Sequence, residues 1–368
     1  MSLPDDVPLV INPDREYLNA RQLEDYRQHR ENVLEWLYAK GKNPDRQEGY
    51  SHAVTRNMAY RVSKIYRWLW ERKGRYTTNL SHDHADAYIR ELAGKDWKNS
   101  NKAQYVKALK RLFKWKRHER NSDQWEPEIT FHPSSEEYQP QDFFTLKERK
   151  RLREASLEYG SVPAYGNLSP EERSRWKAYL AQRFEKPKDE VKPDDWGRAN
   201  SWKIPSLVAV SLDAGFRPIE VERTTVSWVD TQNAVLRIPK DESSKNRENW
   251  TVSIRNQTAR ALANWIQERE NYAKYDDTDT LWLTRRENPY QSESLNYILK
   301  RLCEEANIDT ANRSLSWYSI RHSTGTYLTH FEDLGAAKAQ LRHKSERTTI
   351  KYDNAPLEER RDALDKMG

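Results

Sequence analysis

The stretch SWYSIRHSTGTYL, residues 316–328, decides how the second half of the chain is read. It reads as a helix in which Tyr318 precedes Arg321 by three positions, so the two side chains share a face. That face is either an ordinary half-buried helix surface or half of a phosphate-gripping site. His322, one position beyond Arg321, points about 100° further round the helix.

The chain around it has 368 residues, beyond the comfortable size of one hydrophobic core, and two domains are expected. Hydrophobic residues make up 36% and charged residues 33%, a polar balance. The 14 Trp and 20 Tyr supply much of the apolar area and argue against disorder for the bulk of the chain. A net charge of +6 suits a polyanionic partner. One cysteine, Cys303, excludes an internal disulfide framework and a cysteine-based zinc site. The N-terminus lacks the pattern of a signal peptide, and no apolar run is long enough for a membrane span. The expectation is a soluble, intracellular protein with no membrane partner.

Residues 1–16 contain prolines and aspartates and are expected to form a loosely ordered tail. Apolar residues then recur at helical spacing over 20–40, 51–73, 82–93 and 101–118, punctuated by glycines at 41, 49, 74 and 94. An all-helical domain over 17–120 is expected. Two of its helices are basic, with aromatics interleaved, and Arg56, Lys64, Arg67, Lys107, Lys110 and Lys114 are its candidate contacts to a nucleic-acid backbone. His82-Asp83-His84 resembles a metal-ligand cluster, but it follows Ser81 at a helix start, where capping and acidic residues belong.

Residues 121–143 are polar and aperiodic, contain three prolines, and read as a linker to a second domain over 144–368. That domain opens on the capping box Thr145-Leu-Lys-Glu148, and Ser169-Pro-Glu-Glu172 repeats the signal. Residues 183–200 are highly charged and are expected to form a surface loop or insertion. A helix over 202–213 stops at Gly215. WVDTQNAVLRIPK (228–240) and ENWTVSI (248–254) read as strands joined by a polar turn, and Leu281–Leu283 as one more short strand. The fold class expected is mainly α with a small β-sheet. A short helix over 356–366 closes the chain.

The polar residues of this second domain carry a pattern. AGFRPIE (214–220) holds Arg217 and Glu220, the β-hairpin holds a lysine, YSIRH (318–322) holds Arg321, and LRHKSERTTIKY (341–352) holds His343 nine residues before Tyr352. In this order the motifs resemble the tyrosine recombinases, the phage integrase family, in a style closest to integrases of archaeal viruses and plasmids. The resemblance covers about 145–355, and the helical domain is similar in size and charge to that family's core-binding domain.

The resemblance implies a site-specific DNA recombinase that cuts and rejoins duplex DNA, working as a tetramer on synapsed sites and needing no metal or other cofactor. Arg217 and Arg321 would clamp the scissile phosphate, Lys245 would protonate the leaving 5′-oxygen, and His343 would hydrogen-bond the phosphate. Tyr352 would be the nucleophile, and Glu220 and His322 would support the site. Lys240 competes with Lys245. Tyr318 stands where the family's H-x-x-R box has histidine, and its hydroxyl donates a hydrogen bond but carries no positive charge at neutral pH. A type IB topoisomerase-like activity and a catalytically silent DNA-binding protein are the alternatives.

Overall fold

The computed structural model describes residues 2–132, 142–243, 248–353 and 356–367. The chain divides into two units, Met1–Gln139 and Pro140–Gly368. In the first, the helical apolar spacing produces α1 (Asn12–Arg15), α2 (Ala20–Ala39), α3 (His52–Lys73), α4 (His82–Ala93) and α5 (Asn99–Arg120). α5 packs against α2, α3 and α4, and the core between them is built largely of aromatics, among them Tyr26, Tyr66, Trp70, Tyr88 and Trp115. α2 starts where Asn19 and Gln22 satisfy each other's backbone N–H groups. α4 starts in the same way at Ser81 and His84, whose Nδ1 accepts from the Ser81 N–H. The His82 ring packs on Phe113, so this trio serves the helix start rather than a metal.

Two expectations for the ends of this unit are corrected. Residues 2–16 are not loose: Val7 and Asp14 are buried, and Leu3, Leu9 and Val10 pack on the core. Asp14 accepts from the Ser63 hydroxyl and pairs with Arg67 at 3.3 Å, which ties α1 to α3. The expected linker also belongs to the unit as far as residue 132. Trp125 is only 4% exposed, its indole N–H bonds Asp86 at 3.1 Å, and Ile129 and Phe131 cover the core beside it. Three isolated apolar side chains show no periodicity, yet each covers enough surface to fasten an irregular segment.

The second unit contains α6 (Leu146–Glu158), α7 (Pro170–Arg183), α8 (Pro193–Arg198), α9 (Lys203–Ala214), α10 (Pro218–Arg223), β1 (Val229–Asp230), β2 (Val235–Ile238), β3 (Trp250–Ser253), α11 (Asn256–Arg269), α12 (Ser292–Glu305), α13 (Trp317–Phe331), α14 (Leu334–Gln340), α15 (Glu346–Thr349) and α16 (Leu357–Met367). Both expected capping boxes form, Thr145 with Glu148 and Ser169 with Glu172. α9 is apolar around most of its circumference and runs through the core, packed on α6, α11 and α13. Cys303 on α12 is buried in the same core.

The strands form one antiparallel sheet in the order β1-β2-β3, with Leu236 opposite Val252 and both side chains buried. Leu281–Leu283 is not a strand of this sheet. It is a buried stretch whose Leu281 N–H bonds the Thr224 carbonyl, flanked by isolated bridges at Thr280 and Leu283. Residues 183–200 are not a simple surface loop either. Val191, Trp196 and Ala199 join Trp176 and Leu180 in a small separate core, and the buried Asp195 beside them pairs with Lys186 and Arg198. No helix among the described residues is long and apolar enough to cross a membrane.

Candidate active site

The site grows from the C-terminal end of α9. Gly215 ends that helix at φ 58°, and a Cβ there would come within 2.5 Å of the Leu341 side chain. The last carbonyls of a helix have no partner within it. Here guanidinium groups fill them: Arg321 Nη1 donates to the Gly215 carbonyl at 2.6 Å, and Arg342 Nη1 donates to that of Ala214 at 2.9 Å. Cations at this end also complement the helix dipole. The turn after Gly215 leads into α10, with Arg217 at its N-cap, Pro218 at its first position and Glu220 at its third.

Glu220 is the hub. Its carboxylate accepts the Arg217 backbone N–H and Arg217 Nη1, each at 2.7 Å, and Arg342 Nη2 at 2.8 Å. Arg321 Nη1 lies 3.7 Å away. Burial raises the pKa of this carboxyl, but Arg342, Arg321 and Arg217 together outweigh it and hold the group well below the usual carboxylate range. A single buried anion therefore aligns three buried arginines. Burial, followed by repulsion from Arg342 and Arg217, lowers Arg321 to about 10, and it stays charged at neutral pH.

Tyr352 lies in a short helical turn after α15 and is 1% exposed. Its ring sits between two imidazoles. His343 stacks parallel to it with centroids 5.7 Å apart, and His322 meets it edge-on at 5.0 Å. Gly325 makes room for the tyrosine, because a Cβ at that position on α13 would come within 2.8 Å of its ring. Burial raises the Tyr352 hydroxyl, against the pull of Arg321.

His343 Nε2 takes a hydrogen bond from Arg321 Nη2 at 2.9 Å, and its Nδ1 lies 2.9 Å from the Thr349 hydroxyl. Arginine only donates, so Nε2 is unprotonated and Nδ1 carries the proton. Burial, then Arg321 and Arg217, lower His343 to about 3. Tyr318 is half-buried and packs on His322 at 5.3 Å. Burial raises its pKa, but Arg321, Lys351 and Arg217 bring the net shift below the ordinary value. Lys351 Nζ lies over both the Tyr352 and Tyr318 rings, at 4.9 and 5.8 Å.

Arg217, Glu220, Tyr318, Arg321, His322, His343 and Tyr352, far apart in sequence, thus meet at one place. Lys245 lies outside the described residues. Lys240 is exposed at the foot of the hairpin, with its backbone N–H on Asn249. Sequence reasoning missed Arg342, Thr349, Lys351 and Gly325. Arg342 and Lys351 each adjoin a residue that was identified, but neither spacing nor residue type marks them out. It also underrated His322, which does turn away from Arg321 but turns toward Tyr352.

In the first unit the six candidate contacts fare differently. Arg56 and Lys110 pair with Asp6 and Glu126, at 3.7 and 2.8 Å. Arg67 holds buried Asp14, and Lys114 Nζ donates to the carbonyls of Gly41 and Lys42. Lys64 lies 4.4 Å over the Trp97 ring, and Lys107 is exposed. Arg67 and Lys114 therefore already have structural duties.

Residues 195–358 match the Phage integrase family. Among solved structures, the XerH site-specific recombinase bound to its difH substrate in a pre-cleavage complex is similar, with TM-score 0.55 and 15% identity over 95% of this chain and 89% of that one. Its post-cleavage complex with a palindromic difH substrate gives 0.56 and 14%, over 95% and 91%. The Tn1549 transposon integrase in complex with a circular intermediate DNA gives 0.52 and 13%, over 91% and 99%. At these identities the likeness to solved structures is one of fold. No curated protein sequence matches. The matched segment carries every described residue of the buried arginine, histidine and tyrosine cluster, and over residues 195–358 the chain is similar to the phage integrase family of tyrosine recombinases.

Proposed function

We propose that this protein is a site-specific DNA recombinase that breaks and rejoins duplex DNA through a 3′-phosphotyrosyl intermediate on Tyr352. The observation that carries the reading is the meeting of Arg217, Arg321, His343 and Tyr352 around Glu220, with several polar atoms left unpaired. Among the described residues, Arg217 Nε and Arg321 Nε are buried without a hydrogen-bond partner, and the buried Tyr352 hydroxyl, beside the Arg321 guanidinium, has no acceptor for its proton. Buried polar atoms are rarely left so, and a group that supplies acceptors to two guanidiniums beside a phenol answers all three. A phosphodiester is such a group.

In the reaction Tyr352 Oη attacks phosphorus while the P–O5′ bond breaks, and the DNA 5′-oxygen leaves with a proton from Lys245. The P–Oη bond formed keeps the energy of the bond broken, so the 5′-hydroxyl of the same or another strand restores the diester without ATP. Arg217 and Arg321 stabilise the charge on the non-bridging oxygens, and Glu220 holds them in place. The DNA is gripped by the second unit together with the basic helices of the first, and a tetramer on two synapsed sites exchanges the strands. Integration of a mobile element is one use of this chemistry.

A nicked duplex that loses the short 5′ strand on cleavage traps the covalent complex. Wild-type protein is expected to form a protease-sensitive protein–DNA adduct, and Tyr352→Phe none. An adduct that survives in Tyr352→Phe overturns the assignment. Efficient relaxation of supercoiled plasmid lacking a specific site would favour topoisomerase-like use of the same chemistry.

A further inference from the structure

We propose that His322 takes the proton from the Tyr352 hydroxyl as that oxygen attacks phosphorus. The proposal rests on the reading of Tyr352 as the nucleophile. A buried phenol must lose its proton to become a strong nucleophile, and the acceptor has to lie beside it. Two imidazoles touch the Tyr352 ring, and they differ in what their nitrogens already do. His343 has its Nε2 lone pair committed to Arg321 and its Nδ1 against Thr349. His322 is 9% exposed, and its Nε2 is buried with no hydrogen-bond partner among the described residues. The Tyr352 hydroxyl is buried beside Arg321, which can only donate to it, so its own proton has no acceptor among the described residues. A buried imidazole nitrogen without a donor and a buried phenol proton without an acceptor, on rings whose centroids lie 5.0 Å apart, are complementary.

The other neighbours serve less well. Tyr318, which holds the position the family gives to histidine, accepts a proton only after it has itself been ionised. Lys351, over the same two rings, is an ammonium with no lone pair to offer. In the acceptor state His322 carries its own proton on Nδ1. The transfer makes it an imidazolium as the P–Oη bond forms, and it returns the proton to Tyr352 when the strand is resealed.

Burial, then Lys351 and Arg321, lower His322 to about 4 in the DNA-free protein, so it is neutral and able to accept at pH 7. A bound phosphate diester sets a negative charge against the same cations, which raises the basicity of the imidazole when it is needed.

The test measures the rate of adduct formation on the nicked duplex by wild type, His322→Ala and His322→Asn. Each is made with tyrosine at position 352 and with a trifluorinated tyrosine, whose phenol ionises near neutrality. With tyrosine, both substitutions should slow the reaction by about thirtyfold or more, and added imidazole should partly restore His322→Ala. With the fluorinated phenol, which needs no base, the loss should shrink to about threefold or less. Equal losses with both phenols, or no loss in either variant, would reduce His322 to a packing role and overturn the proposal. Absence of any adduct from wild-type protein would instead remove the reading of Tyr352, and the proposal with it.

Discussion

Glu220 shows how one side chain organises the others. It is buried against Arg217, Arg321 and Arg342, and removing its charge leaves three cations facing one another. Breaking a buried ion pair in this way costs about 3–5 kcal/mol, so Glu220→Gln should destabilise the second unit by that order in urea titrations at pH 7. Its folded pKa is depressed, so its contribution is complete above the ordinary carboxylate range and is lost as pH falls through and below it. The gap between wild type and Glu220→Gln should accordingly narrow between pH 5 and pH 3. Arg217, Glu220, Arg321, His343 and Tyr352 were legible because their order along the chain is a family pattern. Arg342 was not. It adopts φ 56°, and its partners are helix-end carbonyls and a carboxylate, none of which leaves a trace in the sequence LRHKS.

At the scale of elements, α13 is the stretch that first raised the question of a site, and it serves two sides at once. It sends Arg321 toward the end of α9 and presents Gly325 to the Tyr352 ring. A glycine within a helix costs stability relative to alanine, yet alanine here meets Tyr352 and Leu341 inside 3.0 Å. Gly325→Ala should therefore displace Tyr352, the proposed nucleophile, and slow adduct formation by about a hundredfold. The melting temperature should fall only modestly, as an overpacked site costs about 1–3 kcal/mol. Amphipathic helices with caps, such as α2 and α6, were legible because spacing and capping boxes are local. The packing of 121–132 and 183–200 was not, because Trp125 and Trp196 find partners far away in sequence while the residues on either side of them carry no apolar side chain to show a period.

For the whole molecule, the charge of the first unit matters less as a sum than as what remains unspent. Arg56, Arg67 and Lys110 already face acids, whereas Lys107 is exposed and pairs with no acid among the described residues. If the proposed DNA contact is correct, Lys107→Ala should weaken binding to all sequences alike. It should also reduce the slope of log affinity against log salt by about 0.9, measured by fluorescence anisotropy over a salt series. An unchanged slope would exclude Lys107 from the contact. The division into two units was foreseeable from length and from the change of pattern near residue 140. Its boundary was blurred because irregular segments at both ends of the first unit are fastened by single large side chains.

The lone cysteine gives those two units separate clocks. Cys303 is 2% exposed in the core of the second unit, and burial pushes its thiol up to about 11, so it is a poor nucleophile while that core is intact. The first unit has no cysteine at all. Thiol-specific labelling thus records the opening of the second unit alone, while tryptophan fluorescence follows both. In a single urea series the two signals would separate if the halves unfold independently and coincide if they do not.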